Sequence, residues 1–475
     1  MTVVVTGASL SPADVVSVAR RGEPVVMEAE AVTRMKRARE LADALAERGT
    51  PTYGLTTGLG VQKRARQDHD DVGFQWRQIA ESRAGVGPLA PPGVVRAAML
   101  ILLNQMAGGS TCLRPLLAER LAQALNDGMT PSVRLRGSLG ASDLAPMADL
   151  AAAVFAGVDL VAGEGLAVMN SGAFGTGVAA LALADAARLV DAADVAAALS
   201  LEGFAANPST LHPAIELARP DPVLARTLAH LRELLRDSFL WREGAARNLQ
   251  DPLTYRSTAP LQATAHRALE HAQEVLDIEM NSAQGNPLVS LAAETIVSAG
   301  AYEVAGLSAA LDYVRIALAS MLTAASERSL KLLDTPWSGL PTGLLDQGEG
   351  GPDLGLSILA ITAESLAAEA STLAQPVSFV LTSTSGAEGI EDRASQLPLS
   401  ARRLAEQVDA GEAIVAIELV VAAQAVDLRG SSPLGRGTAR AHRRLREVVP
   451  VLRAGGTPPV DVEPVIELLR DGPLA

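Results

Sequence analysis

From residue 177 to residue 201 the chain runs through alanine, leucine, valine and aspartate with almost no interruption. A stretch of this length and composition predicts one long, mostly buried helix. It also limits what can pack beside it. Hydrophobic residues make up 48% of the sequence but aromatic residues only 3%, so the apolar mass is small and aliphatic. That balance favours closely packed helices over sheets. Further helices are predicted over 28–48, 74–83, 94–106, 113–127, 144–161, 222–236, 259–280, 303–333, 356–374 and 400–428, with two short ones in the tail. A strand-like run covers 3–5, and a helix starts at Pro12. No strand–helix–strand alternation and no phosphate-binding glycine loop is found. The expected fold class is mainly α: a central bundle of long helices with small-residue loops at their ends.

The net charge of −14 argues against nucleic acid and anionic membranes as partners. Cys112 is the single cysteine, which excludes an intrachain disulfide and fits a reducing, cytoplasmic setting. The start, Met-Thr-Val-Val-Val-Thr, lacks a basic segment and a long apolar core, so no signal peptide is expected. Apolar runs such as 144–161 are interrupted by Asp149, Gly157 and Asp159 and read as buried helices, not membrane spans. Six histidines without a His-x-x-x-His pair, and one cysteine, leave little for a metal site, and none is expected.

Polar loops interrupt the helices at intervals. Segment 52–60, Thr-Tyr-Gly-Leu-Thr-Thr-Gly-Leu-Gly, sets Tyr53 among glycines, where a phenol can serve as acid or base. Segment 137–146, Gly-Ser-Leu-Gly-Ala-Ser-Asp-Leu-Ala-Pro, reads locally as a helix start, with Ser142 as N-cap and Asp143 at the positive helix end. Segment 164–172 is a small-residue turn carrying Asn170. Segment 249–256 carries Gln250, Asp251 and Arg256, and 389–393 adds Glu391 and Asp392. A glycine- and proline-rich stretch, 336–355, reads as a mobile loop. Together these loops supply a phenol, an amide, a guanidinium and carboxylates. That set suits an amino-acid substrate, because arginine grips a carboxylate and a carboxylate holds an ammonium.

The order of these motifs resembles the histidine and aromatic amino-acid ammonia-lyase and aminomutase family over nearly the whole chain. Tyr-Gly-Leu-Thr-Thr-Gly-Leu-Gly from Tyr53, Met169-Asn170-Ser171-Gly172, Gln250-Asp251-Pro252 with Arg256, Ser326-Glu327-Arg328 and Ile390-Glu391-Asp392 carry the resemblance. It implies the all-α lyase architecture, which shares its helical-bundle style with the fumarase/aspartase enzymes, and a homotetramer with sites built from several chains. It implies a region 1–200 holding the tyrosine loop and the electrophile-forming loop, a central bundle over 201–430, and C-terminal short helices over 431–475. The implied reaction is elimination of ammonia from an L-α-amino acid. In that family an Ala-Ser-Gly tripeptide cyclises to a methylidene-imidazolone (MIO), an electrophile that captures the amine. Carried over, Ala141, Ser142 and Asp143 are the ring precursor and Tyr53 is the base. Asn170 and Arg256 hold the carboxylate, Gln250 supports the site, Glu391 lies near the amine, and Tyr302 lies near the electrophile.

This sequence departs from the pattern in three places. The electrophile segment is one residue short, with Asp143 where the family has glycine. Leu253 follows Gln-Asp-Pro where the family often has tyrosine, with Tyr255 two residues on. Glu81-Ser82-Arg83 stands in place of the Ser-His segment of the histidine enzymes, which argues against histidine and assigns Ser82 or Arg83 to the side-chain pocket. Two alternatives follow: a 2,3-aminomutase with the same electrophile, and a family member that lacks the ring and serves as a non-catalytic or differently acting scaffold.

Overall fold

The computed structural model describes residues 2–65, 73–347, 352–380 and 386–474. It is mainly helical, and the chain forms two compact units, each assembled from three stretches of sequence. Four of the five unit boundaries fall inside the long helices Ala173–Phe204, Thr258–Met280, Ala305–Leu333 and Leu397–Arg429, and the fifth, between Gln375 and Pro376, follows the helix Ile358–Leu373.

The first unit comprises Met1–Ala184, Ala272–Asp312 and Pro376–Arg402. It opens with strand Val3–Val5, paired in parallel with Val25–Met27 across the helix Pro12–Arg21. That helix begins in a capping box. The Ser11 hydroxyl accepts from the Asp14 N–H at 3.2 Å, and the Asp14 carboxylate accepts from the Ser11 N–H at 3.0 Å. Helix Pro92–Ala107 is the apolar centre, with every residue from Val95 to Ala107 buried. Its one charged member, Arg96, spends its guanidinium on the carbonyls of Val18 and Leu125 and so ties two neighbouring helices to it. The helices Phe74–Ser82, Leu144–Val154 and Glu164–Met169 pack against one another and carry two of the polar segments singled out above, 137–146 and 164–172.

The second unit comprises Asp185–His271, Tyr313–Gln375 and Arg403–Ala475. Its centre holds a buried ion pair. Arg328 donates to both oxygens of Glu418, at 2.6 and 3.0 Å, and Ser200 adds a third bond at 2.7 Å. The Arg328 side chain is 2% exposed and that of Glu418 0%. Helix Pro222–Leu234 packs against Arg436–Val448, which in turn packs against Glu463–Arg470.

Most predicted helices are present, with ends shifted by about one turn or less. Three expectations change, the first being the absence of strand–helix–strand alternation, since Val3–Val5, Pro12–Arg21 and the parallel Val25–Met27 form one such unit whose three-residue strands are too short to leave a periodic signal. The run 144–161 is helical only over Leu144–Val154, because Gly157 takes a positive φ of 77° and turns the chain away. The turn expected at 164–172 contains the helix Glu164–Met169. The buried Glu164 carboxylate fixes its start by accepting from the side chain and the backbone N–H of Arg114. The loop read at 336–355 overlaps the short helix Thr335–Ser338 and contains the turn Thr342–Leu344, and its residues 348–351 lie outside the described residues, as do 382–385 of the polar stretch before Glu391. The stretches Glu164–Phe204 and Ala305–Leu333 are long and apolar enough to cross a membrane by length and composition. The fold buries 89% and 61% of their most apolar windows.

Removing one partner of the central ion pair leaves a buried, uncompensated charge. Glu418→Ala is expected to lower the unfolding free energy measured in urea by about 3–5 kcal/mol. Joint replacement by Arg328→Met and Glu418→Leu should recover most of that loss.

Candidate active site

In the first unit a cavity of about 900 Å³ is lined by Tyr53, Ala141, Ser142, Asn170, Tyr302 and Glu391, among others. Six residues from five separate loops and turns therefore reach one space.

Segment 137–146 forms one wall. Gly140 takes a φ of +78°, and a Cβ there would lie 2.3 Å from the Ser395 hydroxyl, so only glycine fits. Ser142 also adopts a left-handed conformation, with φ +60°, which is rare for a residue with a side chain. The backbones of Gly140 and Ser142 pair across Ala141, and Ala141 itself pairs with Glu303. The chain thus reverses at Ala141. The Ser142 hydroxyl donates to the Asn170 side-chain oxygen.

The local reading of Ser142 as a helix cap is corrected here. Asp143 occupies the N-cap position of Leu144–Val154, and its side chain makes no cap bond. Its carboxylate instead accepts from the Ser138 hydroxyl at 2.6 Å and from the Gly175 N–H at 2.7 Å, in the first turn of the helix Ala173–Phe204. Its own N–H donates to the Ser171 carbonyl at 2.8 Å. The residue is 1% exposed. Burial pushes its carboxyl up to about 6 against the lowering effect of these two donors.

Asn170 is held at both ends. Its amide nitrogen donates to the Asn286 carbonyl at 2.6 Å while its oxygen accepts from Ser142. Behind it runs a buried chain of hydrogen bonds: Ser171 hydroxyl to Gln105 at 2.6 Å, Gln105 to Gln284 at 2.8 Å, and Gln284 to Glu279 at 2.8 Å. Tyr53 is half-buried, and its phenolic oxygen accepts from the Gly60 N–H at 2.9 Å. Burial raises its pKa most, the Gly60 bond opposes this, and the fields of Glu391 and Tyr302 add to the rise. Lys63 and Arg393 also line the cavity. Lys63 pairs with Glu388 at 2.7 Å, and Arg393 lies 3.9 Å from Glu303.

The sequence-predicted residues divide. Tyr53, Ala141, Ser142, Asn170, Tyr302, Glu391 and Ser82 line the cavity. Asp143 lies buried behind its wall. Arg83 does not line it: its guanidinium is drawn off to Asp149 at 3.0 Å, so the expectation that Arg83 faces substrate is dropped and Ser82 kept. Gln250, Leu253 and Arg256 belong to the second unit and are not among the lining residues. There the Arg256 Nε donates to the Asp251 carbonyl at 2.7 Å, and Leu253 is 65% exposed. Tyr255 is packed as a core residue, stacked on Phe204 at 4.1 Å and donating to the Arg328 carbonyl at 3.0 Å. The sequence reading missed Gln78, Ser138, Gln105 and Gln284. Only Gln78 left a signal, one helical turn before Ser82 on the same face.

Residues 10–159 and 150–447 match the family described as aromatic amino acid lyase. The chain belongs to this family. Its relatives include a histidine ammonia-lyase of Treponema denticola, 34% identical over 94% of this chain and 92% of that one. A histidine ammonia-lyase of Symbiobacterium thermophilum is 33% identical over 100% and 98%. Among solved structures, the ergothioneine-degrading enzyme ergothionase of Treponema denticola superposes with a TM-score of 0.93 at 27% identity, covering 100% of this chain and 99% of that one. Tyrosine aminomutase of Streptomyces globisporus superposes with a TM-score of 0.91 at 29% identity, covering 100% and 98%. The family joins ammonia-lyases and aminomutases, so this aromatic amino acid lyase homologue is a carbon–nitrogen lyase or an aminomutase.

The buried Asp143 sets a pH dependence. Its folded pKa, about 6, lies above the ordinary 3.8, so the folded state binds the extra proton between these values and stability falls as pH rises through this window. Thermal unfolding of wild type and Asp143→Asn from pH 4 to 8 should show wild type losing stability relative to the variant between about pH 4 and 6. The difference should be flat above that.

Proposed function

We propose that this chain eliminates ammonia from a small L-α-amino acid other than histidine, giving an α,β-unsaturated acid, in the cavity of the first unit. The observation that supports it most is the convergence of Tyr53, Ser142, Asn170 and Glu391 on that one cavity. Tyr53, as phenolate, takes the β-proton. The C–H electron pair becomes the Cα–Cβ double bond, and the C–N pair leaves with the amine. Asn170, fixed by Asn286 and Ser142, presents its amide to the substrate carboxylate, and Glu391 meets the ammonium.

The family resemblance implies the MIO ring, which when present supplies an electrophile for the amine. Ala141, Ser142 and Asp143 do not fit it. Ring closure would join the Asp143 nitrogen to the Ala141 carbonyl carbon and consume the Asp143 N–H. That N–H donates to Ser171, the same residue's carboxylate is anchored by Ser138 and Gly175, and its carbonyl accepts from Met147 at 3.0 Å to start the helix. The reversal at Ala141 pairs Gly140 with Ser142, one residue too early to fold position 143 back onto position 141. The reading adopted is therefore the third form left by the sequence, a ringless member that acts differently, and its elimination relies on a β-proton that the substrate's own side chain makes acidic.

The proposal includes a cytoplasmic homotetramer with no nucleic-acid or membrane partner, consistent with the charge of −14. In it, Arg256 of a neighbouring copy adds a guanidinium for the carboxylate, with Gln250 and Leu253 beside it. The exposure of Leu249 (86%) and Leu253 (65%) supports covering of this segment on assembly.

Tyr53→Phe should lower ammonia release by about 10²–10⁴-fold with the helical circular dichroism unchanged. Because the Tyr53 pKa is raised above 10.0, the wild-type rate should climb with pH through the neutral and mildly alkaline range; a flat profile with an active Tyr53→Phe enzyme would remove the tyrosine from this role. Co-expressing Tyr53→Phe with Arg256→Ala should restore activity that neither shows alone. No restoration would mean that the sites are not shared between copies.

A further inference from the structure

Gln78 lines the cavity and is unused by the elimination just described. Gln78 is 6% exposed, and neither atom of its side-chain amide has a hydrogen-bond partner among the described residues. A buried amide left without partners is destabilising, since its dehydration is uncompensated. Other buried amides in the same unit keep at least one partner: Gln105 and Gln284 bond each other, Gln105 also accepts from Ser171, and Gln75 accepts from the Gly165 N–H at 2.8 Å, although its nitrogen has no partner among the described residues. Gln78 differs from them by lining the cavity.

Its neighbours extend the same face of helix Phe74–Ser82. Glu81 and Ser82, three and four residues on, also line the cavity. The Ser82 hydroxyl is turned back to the Gln78 carbonyl at 2.9 Å, which leaves the Gln78 amide group free for a ligand. Arg83, the cation that would neutralise Glu81 or draw an acidic side chain, is engaged by Asp149 instead. This end of the cavity therefore offers an amide that both donates and accepts, and a carboxylate that accepts.

We infer that Gln78, with Glu81, is the specificity-determining pair for the substrate side chain, and that it selects a planar polar group that both donates and accepts hydrogen bonds, such as a carboxamide or ureido group, over an unsubstituted aryl ring. The inference rests on the cavity being the amino-acid site proposed above. A two-way group pairs with both amide atoms of Gln78 and gives an N–H to Glu81. An aryl ring satisfies none of these and leaves the amide unpaired. Where the carbonyl of that group is bonded directly to the β-carbon, as in L-asparagine, it also accepts the electron pair released there, as the ringless elimination requires; a more distant carboxamide or a ureido group meets the binding preference alone.

The test is equilibrium binding by calorimetry to the full-length Tyr53→Phe protein, in which ligands persist unconverted, with L-asparagine, L-glutamine, L-citrulline and L-phenylalanine as probes. At least one of the first three should bind about tenfold or more tightly than phenylalanine, the discrimination expected from pairing a buried amide. Adding Gln78→Leu should abolish that preference without lowering the melting temperature, because the side chain has similar size and no hydrogen bond among the described residues is lost. Gln78→Glu, which keeps the shape but loses the donor, should shift preference towards L-arginine. Tighter binding of phenylalanine, or a preference unchanged in both Gln78 variants, overturns the inference. If the selective binding is found but wild type releases no ammonia from any probe, the elimination reading fails while the specificity pair stands.

Discussion

The organisation of the active-site loop depends on the carboxylate of Asp143. Held by the Ser138 hydroxyl and by the Gly175 N–H at the start of helix Ala173–Phe204, it ties segment 137–146 to the first turn of that helix. A carboxylate is favourable there because helix N-termini carry unpaired N–H groups and a partial positive charge. With Asp143 fixed, the chain must reverse at Ala141, Ser142 must take its left-handed conformation, and the Ser142 hydroxyl meets Asn170. One buried anion thus sets the geometry of a wall of the cavity. The same anchoring removes the freedom that a backbone cyclisation would need. Glycine at this position could move; an aspartate with three bonds and a buried side chain cannot do so without losing them.

Much of the fold was legible in the sequence because its signals are local and repetitive. The alanine-, leucine- and valine-rich periodicity located the long helices. The glycine-bounded loops around Tyr53, Ser142 and Asn170 were legible for a related reason: small residues mark where backbone approaches backbone, and all three loops meet at one cavity. What the sequence did not carry was the choice of partner. Ser142 has the right residue type for a helix cap, but its hydroxyl is taken by Asn170. Arg83 has the right position for a substrate-facing cation, but Asp149 captures it. The Ser-Glu-Arg signature ending at Arg328 serves a core ion pair with Glu418, ninety residues away, which no local pattern announces. Tyr255 stands close to a position where a catalytic phenol is expected and is stacked on Phe204 instead.

The cavity itself combines two electrostatic settings. Around Tyr53, burial and the neighbouring Glu391 and Tyr302 favour the neutral phenol, so a proton acceptor there works best at high pH or when a cationic ammonium arrives. On the wall carrying Gln78 and Glu81, the two side-chain amide atoms of Gln78 have no hydrogen-bond partner among the described residues and line the same space. In the elimination proposed above, Tyr53 serves as base and Asn170 as the carboxylate-binding amide of a scaffold shared with ammonia-lyases and aminomutases, while segment 141–143 departs from the family pattern.

The ringless reading turns on whether segment 141–143 remains an ordinary peptide. Intact-mass spectrometry of the purified full-length protein, with peptide mapping across segment 137–146, answers it directly. The structure predicts the unmodified mass and an intact Ala141-Ser142-Asp143 sequence by fragmentation. A loss of about 36 Da, two waters, localised to these three residues would show that the ring forms in spite of Asp143 and would contradict the account.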